Sequence, residues 1–200
     1  SVVAATTAAC GSRVLKEQQF DVAVVDEAGQ LTEPGTFLAA NLADRFVLVG
    51  DHQQLPPVVR AENDLQESLF ERLIEAYPEA GVMLDRQYRM SQRVQYFSSR
   101  EFYDGALRPA TGEVAAQRLD DLSGVSSDVL PAELRDLVSF VDPDGVADGN
   151  TNPTEADRVA EVVESFREAG VAADDIGVIA PFRAQVAEIS RRLPDVAVDT

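Results

Sequence analysis

The chain has 200 residues, 45% of them hydrophobic, enough to bury a sizeable core. Its formal net charge is −18, with Lys16 the only lysine beside sixteen arginines. Such a surface repels phosphate backbones, which excludes nucleic-acid binding through bulk positive charge and leaves only local sites for it. No apolar run approaches the roughly 20 residues of a membrane helix and no basic-then-apolar leader opens the chain, so a cytoplasmic location is expected. Cys10 stands alone, which rules out an intramolecular disulfide framework and predicts a small buried hydrophobe.

Three valine-rich runs open the chain: "SVVAAT" (1–6), "FDVAVVD" (20–26) and "FVLVGD" (46–51), each ending in a polar residue. Continuous apolar runs of this length predict parallel strands covered on both faces. Between the second and third, "LTEPGTFLAANLADR" (31–45) predicts a crossover helix, with Thr32 as its cap and Pro34 in its first turn. A strand–helix–strand unit makes its strands parallel, so their carboxyl ends share an edge. Asp26, Glu27 and Asp51 are therefore expected along one rim.

That rim is where open α/β sheets bind ligands. Neighbouring strands lie about 4.8 Å apart, and carboxylates brought so close repel unless a positive charge sits among them. Magnesium bound to a nucleotide supplies that charge through oxygen ligands. Strand-terminal "VVDE" looks like a Walker B element, in which Asp26 holds the ion and Glu27 orients or deprotonates the attacking water. In "GDHQQLPP" (50–57), Gln53 and Gln54 carry amides that both donate and accept, as a phosphate sensor requires, and Pro56-Pro57 stiffens the exit. For His52 an orienting or structural role is expected, because phosphoryl transfer relies mainly on positioning and electrostatics.

Further along, residues 64–81 predict a helix with Leu65, Leu69, Leu73 and Ile74 on one face and Pro78 and Gly81 at its end. A second domain is expected from residue 83. Residues 104–135 look irregular and exposed; "LVSFVD" (137–142) and "DIGVIA" (175–180) predict strands. The helix expected over 152–170 carries the apolar stripe Val159, Val162, Val163 and Phe166 and stops at Gly170. No internal repeat is present.

"VVDEAGQLTEP" (24–34), "LVGDHQQLPPVV" (48–59), "SLFERL" (68–73), "QYRM" (87–90) and "APFRAQ" (180–185) occur in the order and spacing of known motifs, and by them the chain resembles superfamily 1 helicases of subgroup B. The resemblance is to the branch that holds the nonsense-mediated-decay RNA helicase and the replication helicase-nuclease, and it covers nearly the whole chain. It implies an α/β fold made of parts of two RecA-like parallel-sheet domains of the P-loop NTPase type. Residues 1–82 would be the C-terminal part of the first and 83–200 the N-terminal part of the second. ATP and Mg²⁺ are the implied cofactors, hydrolysed at the interface of the two domains to drive 5′-to-3′ movement on DNA or RNA.

The resemblance also implies site residues. Asp26 and Glu27 would be the Walker B pair, with Asp26 on the metal and Asp51 on the nucleotide side. Gln54 would link the γ-phosphate site to the nucleic-acid groove. In "QYRM", Gln87 would lie against the nucleotide, Tyr88 would stack on its base and Arg89 would reach the γ-phosphate, where a forked guanidinium neutralises developing charge. Thr6 and Thr7 in "ATTAACGS" (5–12), and Pro181, Arg183 and Gln185 in "APFRAQ", would meet the sugar-phosphate chain; Arg183 and Gln185 read equally as first-turn helix residues.

No G-x-x-x-x-G-K-[ST] occurs, and Lys16, preceded by "GSRVL", is not a P-loop lysine. An internal fragment of a motor is therefore expected, inactive by itself and in need of the remaining chain. The alternative is a non-catalytic binding or assembly module that kept the fold. Contacts to backbone and stacked bases do not discriminate DNA from RNA. An acidic, lysine-poor surface also looks like that of a salt-loving microbe's protein, in which cations screen self-repulsion. Thermal stability is accordingly expected to rise from millimolar to molar KCl, and a melting temperature that climbs steadily as salt is removed would contradict a halophilic origin.

Overall fold

The opening segment is not the strand its valines predict, in a computed structural model that describes residues 2–59, 66–143 and 145–200. An extended segment becomes a strand only when a neighbour takes its N–H and C=O groups, and residues 2–5 pair with none among the described residues. Instead Thr6 caps helix α1 (Thr7–Cys10), its Oγ1 accepting from Ala9 N at 3.4 Å, and α2 (Arg13–Lys16) follows. Cys10 is half-buried rather than enclosed, because α1 is a single exposed turn.

β-branched and aromatic side chains hold Phe20–Val25 extended as β1. Helix α3 (Glu33–Ala40) returns the chain to β2 (Ala43–Leu48), which pairs with β1 in parallel from Phe20↔Ala43 to Val25↔Leu48. The helix is shorter than its pattern suggested: Asn41 caps it, and Ala43–Arg45 join the strand. Thr32 is its cap by backbone conformation, without a side-chain bond, and Pro34 lies in the first turn. Nor are the strands covered on both faces. Val25 and Leu48 join Ala28 and Phe70 in a core cluster, whereas Val22, Val24, Phe46 and Val47 stay exposed. Two strands make too narrow a ribbon to be sandwiched.

Helix α4 (Leu69–Ala76) starts at buried Ser68, whose Oγ accepts from Glu71 N at 3.1 Å. Part of the longer helix expected there, including Leu65, lies outside the described residues. Leu69 and Phe70 are its buried side chains, and Arg72 bonds Glu33 of α3 at 2.6 Å. The chain divides into two compact units, Ser1–Met83 and Leu84–Thr200.

In the second unit β3 (Arg86–Gln87) is joined by α5 (Gln92–Phe102) to β4 (Arg108–Pro109), and the two strands pair in parallel. Thr111 caps α6 (Gly112–Ala116), its Oγ1 accepting from Val114 N at 3.2 Å. Residues 104–135 are therefore not uniformly irregular and exposed. Leu130 and Leu134 are buried with Ala169 against Val162 and Phe166, because a turn over Ala132–Leu134 stacks them on the helix that follows. Residues 137–142 are not a strand. Asp136 turns the chain by accepting from Leu137 N at 2.8 Å, and Phe140 is left exposed.

Asn152 opens α7 (Pro153–Glu168), its Oδ1 accepting from Glu155 N at 3.1 Å. The stripe predicted on α7 divides between two clusters, Val159 and Val163 on one and Val162 and Phe166 on the other. β5 (Gly177–Ile179), α8 (Arg183–Ser190) and β6 (Ala197–Asp199) complete the unit, with β5 and β6 parallel. Ile189, Leu193 and Val196 bury against Ala156 and Val163, and Arg192 ties α8 to α7 through Asp157 at 2.6 Å. A second bond from Arg192 holds the Glu188 carboxyl below its ordinary range. No helix among the described residues is long and apolar enough to cross a membrane.

Gly170 follows α7 at φ +98°, and a Cβ there would strike the carbonyl of Gly124. Gly170→Ala should therefore cost about 1–3 kcal/mol in urea unfolding. Gly177→Ala, where a Cβ meets nothing within 4 Å, should stay within about 0.5 kcal/mol of the parent.

Candidate functional site

The loops that leave β1 and β2 touch backbone to backbone. A Cβ on Gly29 would lie 2.9 Å from Asp51 O, and one on Gly50 would lie 2.7 Å from Gly29 N. The ladder continues past both strands: Val49 N donates to Val25 O and Ala28 N to Val49 O, each at 2.8 Å. Asp26-Glu27 and the Asp51–Gln54 loop are thereby fixed at the same edge of one parallel pair.

Each carboxylate there has a defined local partner. Asp26 Oδ1 accepts from Glu27 N at 3.0 Å, and its Oδ2 has no donor among the described residues. Glu27 takes the left-handed conformation, φ 52° and ψ 37°, which costs a non-glycine residue about 1–3 kcal/mol; Asp104 in the second unit shares it, at φ 49°. Gln30 Nε2 donates to Glu27 Oε2 at 3.2 Å. Asp51 Oδ1 accepts from Gln53 N at 3.0 Å and Oδ2 from Gln54 Nε2 at 2.8 Å, so Asp51 shapes the glutamine loop. His52 lies against Phe70 with ring centroids 6.2 Å apart, a packing contact. The sequence marks Gly50 as the end of a strand but gives it no role, and it does not single out Gly29 or Gln30.

Among the described residues no three acidic, histidine or cysteine side chains gather into a metal-binding set. A single carboxylate with an open oxygen, as on Asp26, nonetheless fits Mg²⁺, which is commonly held by one or two carboxylates together with phosphate oxygens.

In the second unit, the loop after β3 presents Tyr88 and Arg89 to solvent while Gln87 turns back into it. Gln87 Oε1 accepts from Arg89 N at 2.8 Å and from Met90 N at 2.7 Å, and its Nε2 donates to Met90 O at 2.7 Å and to Gln95 Oε1 at 3.1 Å. The Arg89 guanidinium has no ion pair among the described residues.

The two groups of candidate nucleic-acid residues differ in how free they are. Thr6 is exposed as the cap of α1 and Thr7 is half-buried in its first turn. Pro181 and Arg183 are exposed at the start of α8. Gln185, 4% exposed, is turned inward: its Oε1 accepts from Asn152 N at 2.8 Å and its Nε2 donates to Asn152 O at 3.1 Å, fixing the start of α7.

Two family profiles, both described as AAA domain, match residues 1–62 and 65–199. The chain is 37% identical to the DNA replication ATP-dependent helicase/nuclease JHS1 of Arabidopsis thaliana, over 99% of its own length and 16% of that protein's. It is 34% identical to the DNA polymerase alpha-associated DNA helicase A of Schizosaccharomyces pombe (99% and 32%), and 37% identical to the DNA-binding protein SMUBP-2 of Mesocricetus auratus (92% and 20%). The chain belongs to the AAA-domain superfamily 1 helicases of the DNA2 type, with the RecA-like P-loop NTPase fold of that family. It spans 16% to 32% of the length of these three relatives.

Because Gly50 abuts the Gly29 amide, Gly50→Ala should push the two loops apart and cost about 1–3 kcal/mol. Thermal unfolding reads the loss, and an unchanged melting temperature would show that the loops are not in contact.

Proposed function

We propose that these residues form the middle of the motor of an ATP-dependent helicase or translocase acting on DNA or RNA, within a longer protein. Their limited share of each relative's length supports the last point. Residues 1–82 are then the C-terminal part of a first RecA-like domain and 83–200 the N-terminal part of a second. The observation that carries the reading is the contact of Gly29 with Gly50 and Asp51, which brings Asp26-Glu27 and the Asp51–Gln54 loop to one sheet edge.

In this reading Glu27 is the catalytic base. Gln30 holds Oε2 and leaves Oε1 open to orient a water and take its proton. Gln54 donates one N–H to Asp51 and keeps its second N–H and its oxygen for the γ-phosphate and that water. Arg89 supplies a guanidinium that makes no ion pair among the described residues to charge developing on the γ-phosphate, and exposed Tyr88 offers a ring face to the base. Asp26, whose second carboxylate oxygen has no donor among the described residues, would hold Mg²⁺. When bound, that ion draws charge from the phosphate oxygens. Thr6, Thr7, Pro181 and Arg183 meet the nucleic-acid backbone, and 5′-to-3′ movement follows from the family resemblance alone.

Glu27→Gln keeps the side chain's shape and removes its basicity. In the full-length protein, assayed at molar KCl, the substitution should lower turnover by about 10²–10⁴-fold with ATP binding preserved. Turnover above a tenth of the parent rate counts against Glu27 as the base.

A further inference from the structure

We propose that Gln95 is a positioning residue for Arg89, acting through Gln87. The inference rests on the reading of Arg89 as the group that meets the γ-phosphate. A glutamine amide has two N–H groups and an oxygen that accepts twice. Gln87 uses all four, accepting from Arg89 N and Met90 N and donating to Met90 O and Gln95 Oε1. It therefore has no group left to offer a nucleotide. Its amide instead fixes the backbone from which Arg89 projects.

The far end of the clamp is buried. Gln95 is 4% exposed on α5, and its Nε2 donates at 3.1 Å to the carbonyl of Leu107. The same carbonyl accepts from Ser99 Oγ at 2.8 Å. Leu107 leads directly into β4, which pairs with β3, and β3 ends at Gln87. A closed circuit results: β3, the Gln87 amide, the Gln95 amide, Leu107, β4 and back to β3. The Gln95 amide is buried, so losing a partner there leaves a polar group unsatisfied.

The circuit separates the backbone of Arg89 from its charge. The Arg89 N–H is bonded at 2.8 Å, whereas its guanidinium is exposed and makes no ion pair among the described residues. A charge that must act on a transition state gains from being fixed beforehand, and a displacement of about 1 Å can cost on the order of 10²-fold in rate.

Gln95→Met keeps volume and burial and removes the amide. In the full-length protein, with ATP and a single-stranded oligonucleotide, it should lower kcat by about 10–100-fold and leave KM for ATP within about threefold. Gln87→Leu breaks the clamp from its half-buried end, carries the same expectation, and stands in should Gln95→Met fail to fold. In an Arg89→Ala background either substitution should cost less than about twofold more, because the positioned group is already gone. A substitution that only loosened the fold would subtract its full effect in both backgrounds. Parent-like kcat in the clamp variants, or full additivity with Arg89→Ala, overturns the proposal while leaving the role of Arg89 intact. An Arg89→Ala protein with undiminished kcat overturns the reading beneath it, and the proposal with it.

Discussion

The close approach of Gly29 to Gly50 and Asp51 is the constraint on which the candidate site depends. Parallel strands place their carboxyl ends at one edge but do not decide how far the loops beyond them diverge. Here the pairing runs past Leu48, through Val49 to Ala28, and ends where two glycines leave no room for a Cβ. The loops descend from that point in a fixed relation. Asp26 and Glu27 lie on one, Gln53 and Gln54 on the other, and the strain at Glu27 is the cost of turning the first loop sharply enough to meet the second.

Where burial and periodicity coincide, the fold was legible in the sequence. β1, its parallel partner, α3 and α7 follow from apolar runs, caps and a helical stripe, and Gly170 ends α7 where its φ of +98° requires a glycine. Two expected strands, over 1–6 and 137–142, did not form among the described residues. Composition marks which residues tolerate extended backbone but does not say whether a neighbour will accept their hydrogen bonds. Leu130 and Leu134 were obscured for the opposite reason. They sit among glycines, prolines and acids that read as loop, and their burial comes from Val162 and Phe166 of α7 and from Ala169, far along the chain.

The candidate site was legible as chemistry and much less so as wiring. "VVDE", "GDHQQLPP" and "QYRM" resemble the motifs of superfamily 1 helicases in residue type and spacing. The sequence does not tell an amide that faces a ligand from one that holds a loop. Gln54 keeps free valences, whereas Gln87 and Gln185 have theirs engaged inside the second unit. Gln95 carries no motif at all, and only its burial and its two partners identify it.

The choice of partner for each carboxylate follows from the chain's charge. With a net charge of −18 and one lysine, cations are scarce, and arginines join acids away from the rim: Arg72 with Glu33, Arg167 with Asp195, and Arg192 with Asp157 and Glu188. At the rim the donors are neutral instead, Gln30 to Glu27 and Gln54 to Asp51. An arginine or lysine in either place would orient the carboxylate equally well but cancel its charge. An amide orients and leaves the charge intact. Under the proposed reading that distinction matters, because Asp26 must attract a cation and Glu27 must take a proton, and a neighbouring guanidinium would weaken both. Arg89, which makes no ion pair among the described residues, has its N–H held by an amide as well, so its charge too is left to act on whatever binds.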